Sequence, residues 1–402
     1  MNRWNKIIIL VFLFAGVVSC KKDNSINIED GKPIQFAVPK MDVEARSITK
    51  DAFSPGDEFG VIGYCVPYTV GTSNFNYNAG NNPWLLKKGN CSPDVFFKQK
   101  VVVGENGCTY DYSNTGGNNP KYWYRNGYDT KNSPNASITD VTDYKYSFFA
   151  YYPYDGSFDI EAPTSETTKG APIITFTMPQ NGTDLSTLLD YKNTPDAMMA
   201  VLYDQLQSQG LTFNFSHVLT GLGFEVNNFS DYKLIVHSVT LSGSFYKKVK
   251  IDFTNDYMQY WFPEDRYTGT YTIFDGSNMP EGGLVLEAPT DGQTVTSSPS
   301  PIGPITDGSQ RNEFLLLISG NQTSFGENIT VNIDYTFGDS PRKTVSKSRP
   351  GTFTPQPGVK YTAQLNFVGD AFILQFVENN SGDWEDGVGA DGDINNDDII
   401  FE

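Results

Sequence analysis

Short runs in which apolar and polar residues alternate dominate the chain. Between residues 329 and 337, apolar side chains at every second position alternate with threonine, asparagine and aspartate. Residues 361–367 and 34–38 repeat this period of two, which is typical of half-buried strands. Clusters such as NAGNNP and TGGNNP separate the runs and favour turns. The best helical candidate, DLSTLLDY, is two turns long at most, so the pattern predicts an all-β fold of antiparallel β-sandwiches.

The first 19 residues have the pattern of an export signal. Arg3 and Lys6 precede an apolar run over residues 7–18, which is shorter than the roughly 20 residues of a membrane-spanning helix. The sequence VVSC, which ends at Cys20, resembles a bacterial lipobox, in which the chain is cut before the cysteine and its thiol is acylated. More than one acyl chain gives durable anchoring. We therefore predict a lipoprotein signal peptide over residues 1–19 and lipidation of Cys20, with an ordinary secretory signal as the alternative.

The negative net charge of the chain argues against one class of partner. The chain carries 29 basic and 47 acidic residues, a net charge of −18, and loss of the signal peptide would make it two charges more negative. Nucleic-acid binding depends on cations that neutralise phosphates, so this composition argues against a nucleic-acid partner. Lys21, Lys22 and Asp23 resemble the surface-export signal of Bacteroidetes lipoproteins, and a merely solvated tether over residues 20–31 is the alternative.

Chain length and turn composition predict two folded domains. Roughly 380 residues follow the signal peptide, which is long for one domain. The polar stretch DQLQSQ, residues 204–209, separates two sets of apolar alternation. We predict an N-terminal β-sandwich over residues 32–205, a C-terminal β-sandwich over residues 206–380 and an acidic tail over residues 381–402.

Three stretches, together with the lipobox, resemble the fimbrillin family of Bacteroidetes, which comprises the FimA/Mfa-like pilins and their accessory subunits. The first is YKYSFFAYYPY, residues 144–154, a strand with aromatic bulk on both faces that ends at a proline. The others are LTFNFSHVLTGLGFEV, residues 211–226, and GDWEDG, residues 382–387. The resemblance extends over essentially the whole chain after the signal peptide.

This resemblance implies two β-sandwich domains of transthyretin-like topology and assembly by strand exchange. In the family, a lipidated and exported precursor is cut by an arginine-specific protease after its first strand. The groove left by that strand is then filled by a strand of the next subunit.

The chain carries candidates for these processing features. Residues 34–38 are the predicted first strand, which Pro39 would end. Arg46 lies between this strand and the next strand-like run, and it is the only arginine between Arg3 and Arg125. We predict cleavage at Arg46, with Lys50 as a second candidate; a surface arginine that is never cut is the alternative.

The acidic tail departs from the pattern of a stalk pilin. A donor strand should be long and alternating, but after Val377 only Ile399, Ile400 and Phe401 offer apolar anchors. The expectation is therefore an accessory, tip or anchor subunit of a fimbrium, exposed on the outer membrane, which contacts other fimbrillin subunits and a host or glycan ligand. The alternative is a glycan-binding surface lipoprotein that acts as a monomer, because aromatic residues in Gly/Asn-rich segments can stack on sugars; they are Trp84, Tyr122, Trp123, Tyr124 and Tyr128.

No catalytic or metal-binding motif stands out. His217 and His237 stand at the same alternate positions as the apolar residues around them, so they are predicted to be hydrogen-bonded core or near-core residues. Residues 391–402 have the spacing of oxygen-bearing side chains found in a calcium-binding loop, but Asn396 occupies the position that requires glycine, and no predicted helices flank the loop.

Cys65, Cys91 and Cys108 allow one disulfide at most, and their pairing stays open. We predict a non-enzymatic protein with no metal and no cofactor.

Overall fold

A computed structural model describes residues 32–41, 52–68, 93, 95–113, 120–123, 143–161, 172–179, 194–205, 210–255, 258–288, 300–303, 314–319, 324–349, 353–369 and 371–378. Within these ranges the regular structure is β, apart from one 3-10 turn at Pro280–Gly282. The strands are Lys40–Met41 (β1), Glu58–Tyr68 (β2), Phe96–Val103 (β3), Cys108–Thr109 (β4), Asp143–Tyr152 (β5), Phe158–Glu161 (β6), Ile173–Thr177 (β7), Met198–Gln205 (β8), Asn214–His217 (β9), Thr220–Asn228 (β10), Leu234–Asn255 (β11), Met258–Asp275 (β12), Leu284–Leu286 (β13), Ser300–Gly303 (β14), Leu315–Leu317 (β15), Gly326–Phe337 (β16), Lys343–Ser348 (β17), Lys360–Val368 (β18) and Ala371–Glu378 (β19). The predicted all-β fold is confirmed.

The strands form three sheets. The first sheet has the order β1-β9-β8-β5-β2-β3-β4, and all its neighbours are antiparallel except β1 and β9. The second sheet has the order β17-β16-β11-β7-β6, with β12 and β13 also paired to β11. The third sheet has the order β14-β10-β18-β19, with β15 also paired to β10. Its β10 and β18 run parallel, so antiparallel pairing, which the sequence predicted, predominates but is not universal.

The predicted alternations set the faces of the strands. In β16, Ile329, Val331 and Ile333 are buried, whereas the residues between them are partly exposed. In β18, Tyr361, Ala363, Leu365 and Phe367 are buried, and of the residues between them Thr362 and Gln364 are partly exposed whereas Asn366 is buried. The buried apolar side chains of both strands join one large hydrophobic core, which we call the second core and which also contains the inner side chains of β7, β10 and β11.

Strand β5 is buried on both faces, as its aromatic sequence predicted. Tyr146 and Phe148 belong to a smaller hydrophobic cluster, the first core, together with side chains of β2, β3, β8 and β9. Phe149 and Tyr151 point the other way and belong to the second core. A strand with bulky side chains on both faces therefore separates the two cores, which explains why β5 lies at the centre of the first sheet.

Strand β11 is the longest strand among the described residues, and different partners accompany its two halves. It has 22 residues, which corresponds to about 70 Å at the usual rise of a strand. Its start pairs with β16, and residues 248–252 pair with β7. The candidate helix DLSTLLDY lies outside the described residues.

Strand pairing crosses the predicted domain boundary between residues 205 and 206 in both directions. Strand β9, which follows the boundary, pairs with β8 in the first sheet. Strand β7, which precedes it, pairs with β11 in the second sheet. The two-domain division stays a prediction, and each half of the sequence contributes strands to a sheet built mainly from the other.

Gly326 allows β16 to begin close to β11. Its φ of +154° is unfavourable for residues with a side chain, and a Cβ atom here would overlap the carbonyl oxygen of Ser244. We expect Gly326→Ala to lower the free energy of unfolding by about 2–4 kcal/mol, as measured by denaturant titration. Gly210→Ala is the control, because its Cβ would meet only Ala37 at an ordinary 3.8 Å. Equal stability of the two variants would contradict this account of the β11–β16 contact.

Candidate functional site

Residues 32–41, which we call the N-terminal segment, lie between two strand edges of the first sheet. On one side they exchange three backbone hydrogen bonds with residues 211–213, just before β9, at 2.8–2.9 Å. On the other side the carbonyl of Phe36 accepts the amide of Cys108 in β4 at 2.8 Å, and two further bonds join the segment to residues 121–123. One short segment therefore satisfies backbone groups on both edges.

Two side chains of the N-terminal segment are deeply buried in the first core. Ile34 is 1% exposed and Phe36 is 2% exposed. The ring of Phe36 lies at the centre of an aromatic group, with centroid distances between 5.4 and 5.9 Å to Phe96, Tyr110, Phe148 and Phe213. Full burial of such side chains is worth about 1.5–3 kcal/mol each, so the segment adds substantially to the stability of this core.

The strand predicted over residues 34–38 is not continuous: the N-terminal segment forms isolated bridges at Pro33 and Phe36, and β1 begins only after Pro39. Pro39 lacks an N–H and cannot donate to a ladder, but Lys40 donates to the carbonyl of Phe213 at 2.8 Å directly after it. In β1, Lys40 is opposite Asn214 and Met41 is opposite Phe215. The segment therefore contacts the β9 region on both sides of the proline.

Both ends of the connection 42–51 lie near the same residue of β9. Met41 is paired with Phe215, and the ring of Phe53 lies 4.9 Å from the ring of Phe215. Arg46 and Lys50, the candidate cleavage sites, belong to this connection and lie outside the described residues, as does Cys20. A cut at Arg46 would leave the N-terminal segment attached to the first sheet only through the non-covalent contacts described above.

A buried contact between a histidine and an aspartate fastens β9 to the rest of the first sheet independently of the N-terminal segment. Nδ1 of His217 lies 2.6 Å from Oδ1 of Asp196, and both side chains are buried. In addition, the amide of Val218 donates to the carbonyl of Ala197 at 2.8 Å. Strand β9 therefore keeps one bonded edge when the other edge loses its partner.

The two histidines are hydrogen-bonded within the fold, as predicted. Besides the His217–Asp196 contact, Nδ1 of His237 lies 2.7 Å from the carbonyl of Gly282 and its Nε2 lies 2.8 Å from Oγ1 of Thr336. Among the residues that the structure describes, no group of three His, Cys, Asp or Glu side chains could hold a metal ion. In the same part of the chain, no helix is long and apolar enough to cross a membrane.

The N-terminal segment covers a cysteine. Sγ of Cys108 donates to the carbonyl of Ala37 at 3.3 Å, and burial raises the pKa of its thiol to about 11. Cys108 is free. Cys91 and the side chain of Cys65 lie outside the described part of the chain, so the question of their pairing stays open. The exposure of the Cys108 thiol therefore depends on whether the N-terminal segment is in place.

Tyr110 and residues 121–123 complete the site, and no sequence pattern predicted this. The hydroxyl of Tyr110 donates to the carbonyl of Ile34 at 2.8 Å, and burial raises the pKa of Tyr110 to about 12. Trp123 is one of the aromatic residues that suggested stacking on sugars, but it is 1% exposed and packs on Tyr146, so its ring is not available for such stacking. Its Gly/Asn-rich surroundings resemble a loop, yet an isolated bridge between Pro33 and the neighbouring Tyr122 places the indole inside the first core.

We expect Phe36→Ala to lower the free energy of unfolding by about 3–5 kcal/mol, because it removes a ring with four aromatic neighbours. Denaturant titration of the uncut chain measures this loss. The control is Gln35→Ala, which alters an exposed side chain of the same segment and should change stability little. A small loss for both variants would show that the segment contributes little to the core.

The chain was compared with known proteins in sequence and in structure. No family model matches. A curated protein, the fimbrium subunit Fim1C of Phocaeicola vulgatus, is 25% identical over 215 residues, which are 49% of this chain and 49% of that protein. The match therefore spans about half the length of this curated relative.

Solved structures match over a larger part of the chain. The crystal structure of a fimbrial protein from Bacteroides vulgatus matches with a TM-score of 0.50 and 18% identity, covering 87% of this chain and 98% of that chain. The tip fimbrial protein Mfa3 from Porphyromonas gingivalis matches with a TM-score of 0.32 and 8% identity, covering 86% and 99% of the two chains. The predicted resemblance to the fimbrillins of Bacteroidetes is confirmed: the chain is similar to a fimbrium subunit in sequence and to a solved fimbrial protein in fold.

Proposed function

We propose that this protein is a non-enzymatic fimbrial subunit that joins other fimbrillin subunits by strand exchange after its N-terminal segment is removed. The precursor is lipidated at Cys20, exported to the outer surface of the outer membrane and cut at Arg46. Its similarity to a fimbrium subunit supports the assignment as a fimbrial subunit.

The position of the N-terminal segment carries the proposal. The segment is bonded along both edges, contributes Ile34 and Phe36 to the first core, and is connected onward through the residues that contain Arg46. Its departure would expose unpaired N–H and C=O groups beside an aromatic groove, which is an unfavourable state for an isolated subunit. A strand that restored both the ladder and the buried side chains would bind there by β-augmentation.

The tail favours an accessory, tip or anchor role over a stalk role. Residues 381–402 are acidic and glycine-rich and offer three apolar anchors. The groove, in contrast, holds two deeply buried side chains within a short stretch, together with backbone bonds on both edges. In this proposal the protein accepts a strand from another subunit, and its own tail is not the principal donor.

Glycan binding by a monomer is the alternative function, and it has less support. Of the five aromatic residues that suggested it, Trp123 is buried in the first core and Tyr122 is 39% exposed. The other three, Trp84, Tyr124 and Tyr128, lie outside the described residues. A column of immobilised oligosaccharide that retained the uncut chain would favour this alternative.

Cleavage at Arg46 should expose the Cys108 thiol. We use a lipid-free chain that begins after Cys20, with Cys65 and Cys91 replaced by serine, and treat it with an arginine-specific protease. When the N-terminal segment leaves, the pKa of Cys108 should fall from about 11 toward the 8.5 of a free cysteine. Maleimide labelling at neutral pH should then accelerate more than about tenfold in the cut monomer, since the thiolate is the reacting form. Labelling should slow again in oligomers, where a new strand covers the thiol.

Arg46→Gln is the matched control and should leave labelling slow under the same treatment. Mass spectrometry identifies the cut, and size-exclusion chromatography detects oligomers. If the chain is cut at Arg46 and the released segment is separated from it, yet the product neither oligomerises nor labels faster, strand exchange at this groove is wrong.

Lipidation is tested separately in bacteria that express the full chain. Cys20→Ser should abolish incorporation of labelled palmitate and move the protein from the membrane fraction to the soluble fraction, because acyl chains supply the anchoring free energy. Cys108→Ser should leave both measurements unchanged. Labelling of the Cys20→Ser variant at the wild-type level would contradict the lipobox assignment.

A further inference from the structure

Strand β17 forms one edge of the second sheet and carries an unusual concentration of positive charge. Arg342, Lys343, Lys347 and Arg349 lie within ten residues that contain no acid, in a chain whose net charge is −18. β17 is the terminal strand in the order β17-β16-β11-β7-β6, and five of its six residues are exposed. Its outer edge therefore offers backbone groups and cations together.

The side chains of β17 that face the core side follow a basic–apolar–basic order. Lys343 is opposite Tyr335, Val345 is opposite Ile333 and Lys347 is opposite Val331. Directly opposite residues share a face, so Lys343 and Lys347 flank Val345 at the rim of the second core. Inward-pointing lysines on an edge strand discourage pairing with neutral or basic strands. A strand with acids at matching positions would be accepted.

A series of contacts links the last described residue before the acidic tail with the end of β17. Glu378, the last residue of β19, is paired with Tyr361. The rings of Tyr361 and Phe376 lie 4.9 and 4.3 Å from the ring of Phe353, whose carbonyl accepts a hydrogen bond from the guanidinium of Arg349. Arg349 directly follows β17. The tail therefore begins three contacts away from the carboxyl end of β17, and from there it can reach that strand and run along it in the antiparallel direction.

The tail contains a sequence whose charges are opposite to those of β17 and whose charged and apolar residues alternate in the same way. Residues 379–402 include eight acids and no base. At alternate positions near the end of the given sequence stand Asp398, Ile400 and Glu402, an acidic–apolar–acidic order. An antiparallel strand that placed Ile400 opposite Val345 would place Asp398 opposite Lys347 and Glu402 opposite Lys343. Opposite charges at directly facing positions stabilise strand pairs.

We infer that residues 398–402 of the acidic tail dock on the outer edge of β17 in the same chain, as an added antiparallel strand. The 19 residues between Glu378 and Asp398 include several glycines and are long enough to make the connection. This arrangement covers the edge of β17 that has no partner strand among the described residues, and it places carboxylates opposite Lys343 and Lys347, whereas Arg342 is already paired with Asp334. It is separate from the groove of the N-terminal segment and does not depend on strand exchange there.

Hydrogen exchange of β17 tests this docking. The probe is the exchange rate of backbone amides in peptides that cover residues 341–350, measured by mass spectrometry on the lipid-free chain. We expect exchange to be about tenfold faster in a chain that ends at Glu378, because the outward amides then lose their partners. The variant Lys343→Glu/Lys347→Glu should show the same acceleration, since the facing charges become alike. Asp398→Lys/Glu402→Lys should do so for the same reason.

A charge swap and a matched control make the test specific. Combining Lys343→Glu/Lys347→Glu with Asp398→Lys/Glu402→Lys should restore slow exchange, which a merely damaged strand would not do. Asp383→Lys/Glu385→Lys changes the charge of the tail equally but lies outside the matched register, and should leave exchange slow.

Two results would overturn the inference. Equal exchange in the full chain and in the chain that ends at Glu378 would show that the tail does not cover β17. If exchange of the β17 amides becomes faster on tenfold dilution of the protein, the strand docked on β17 is the tail of a second copy and not the chain's own tail.

Discussion

The first sheet depends on one short segment that satisfies hydrogen-bonding groups on two strand edges at once. Residues 32–41 bond to the β9 region on one side and to β4 and residues 121–123 on the other. Phe36 occupies the centre of the aromatic group that these strands surround. The His217–Asp196 contact, in turn, holds β9 near β8 independently of this segment.

Local pattern in the sequence predicted which faces of the strands are buried, but it could not predict their partners. The period of two in β16 and β18 follows directly from the geometry of a strand between core and solvent. The aromatic residues of β5 indicated burial on both faces, because few other environments accept such bulk. The parallel pairing of β10 with β18 joins residues more than a hundred positions apart, and nothing local encodes it.

The candidate site was predictable only in its apolar anchors. Ile34 and Phe36 stand out as an alternating pair, whereas Phe96 and Tyr110, which also contact Phe36, carry no such signal. Trp123 was misjudged because its Gly/Asn-rich surroundings suggest a loop, although a single bridge suffices to turn the indole inward. The strand predicted over residues 34–38 was misjudged because side chains can alternate between core and solvent without a continuous ladder, and regular pairing begins only at Lys40.

The long strand β11 has a mechanical consequence for the molecule. Its two halves are bonded to different strands, β16 near its start and β7 near its end, while β12 accompanies it over most of its length. A pull along this strand would load many ladder bonds in shear, all at the same time, instead of opening them one after another. Tension applied to either half of the molecule would thus be distributed over a span of about 70 Å before any single strand could slip.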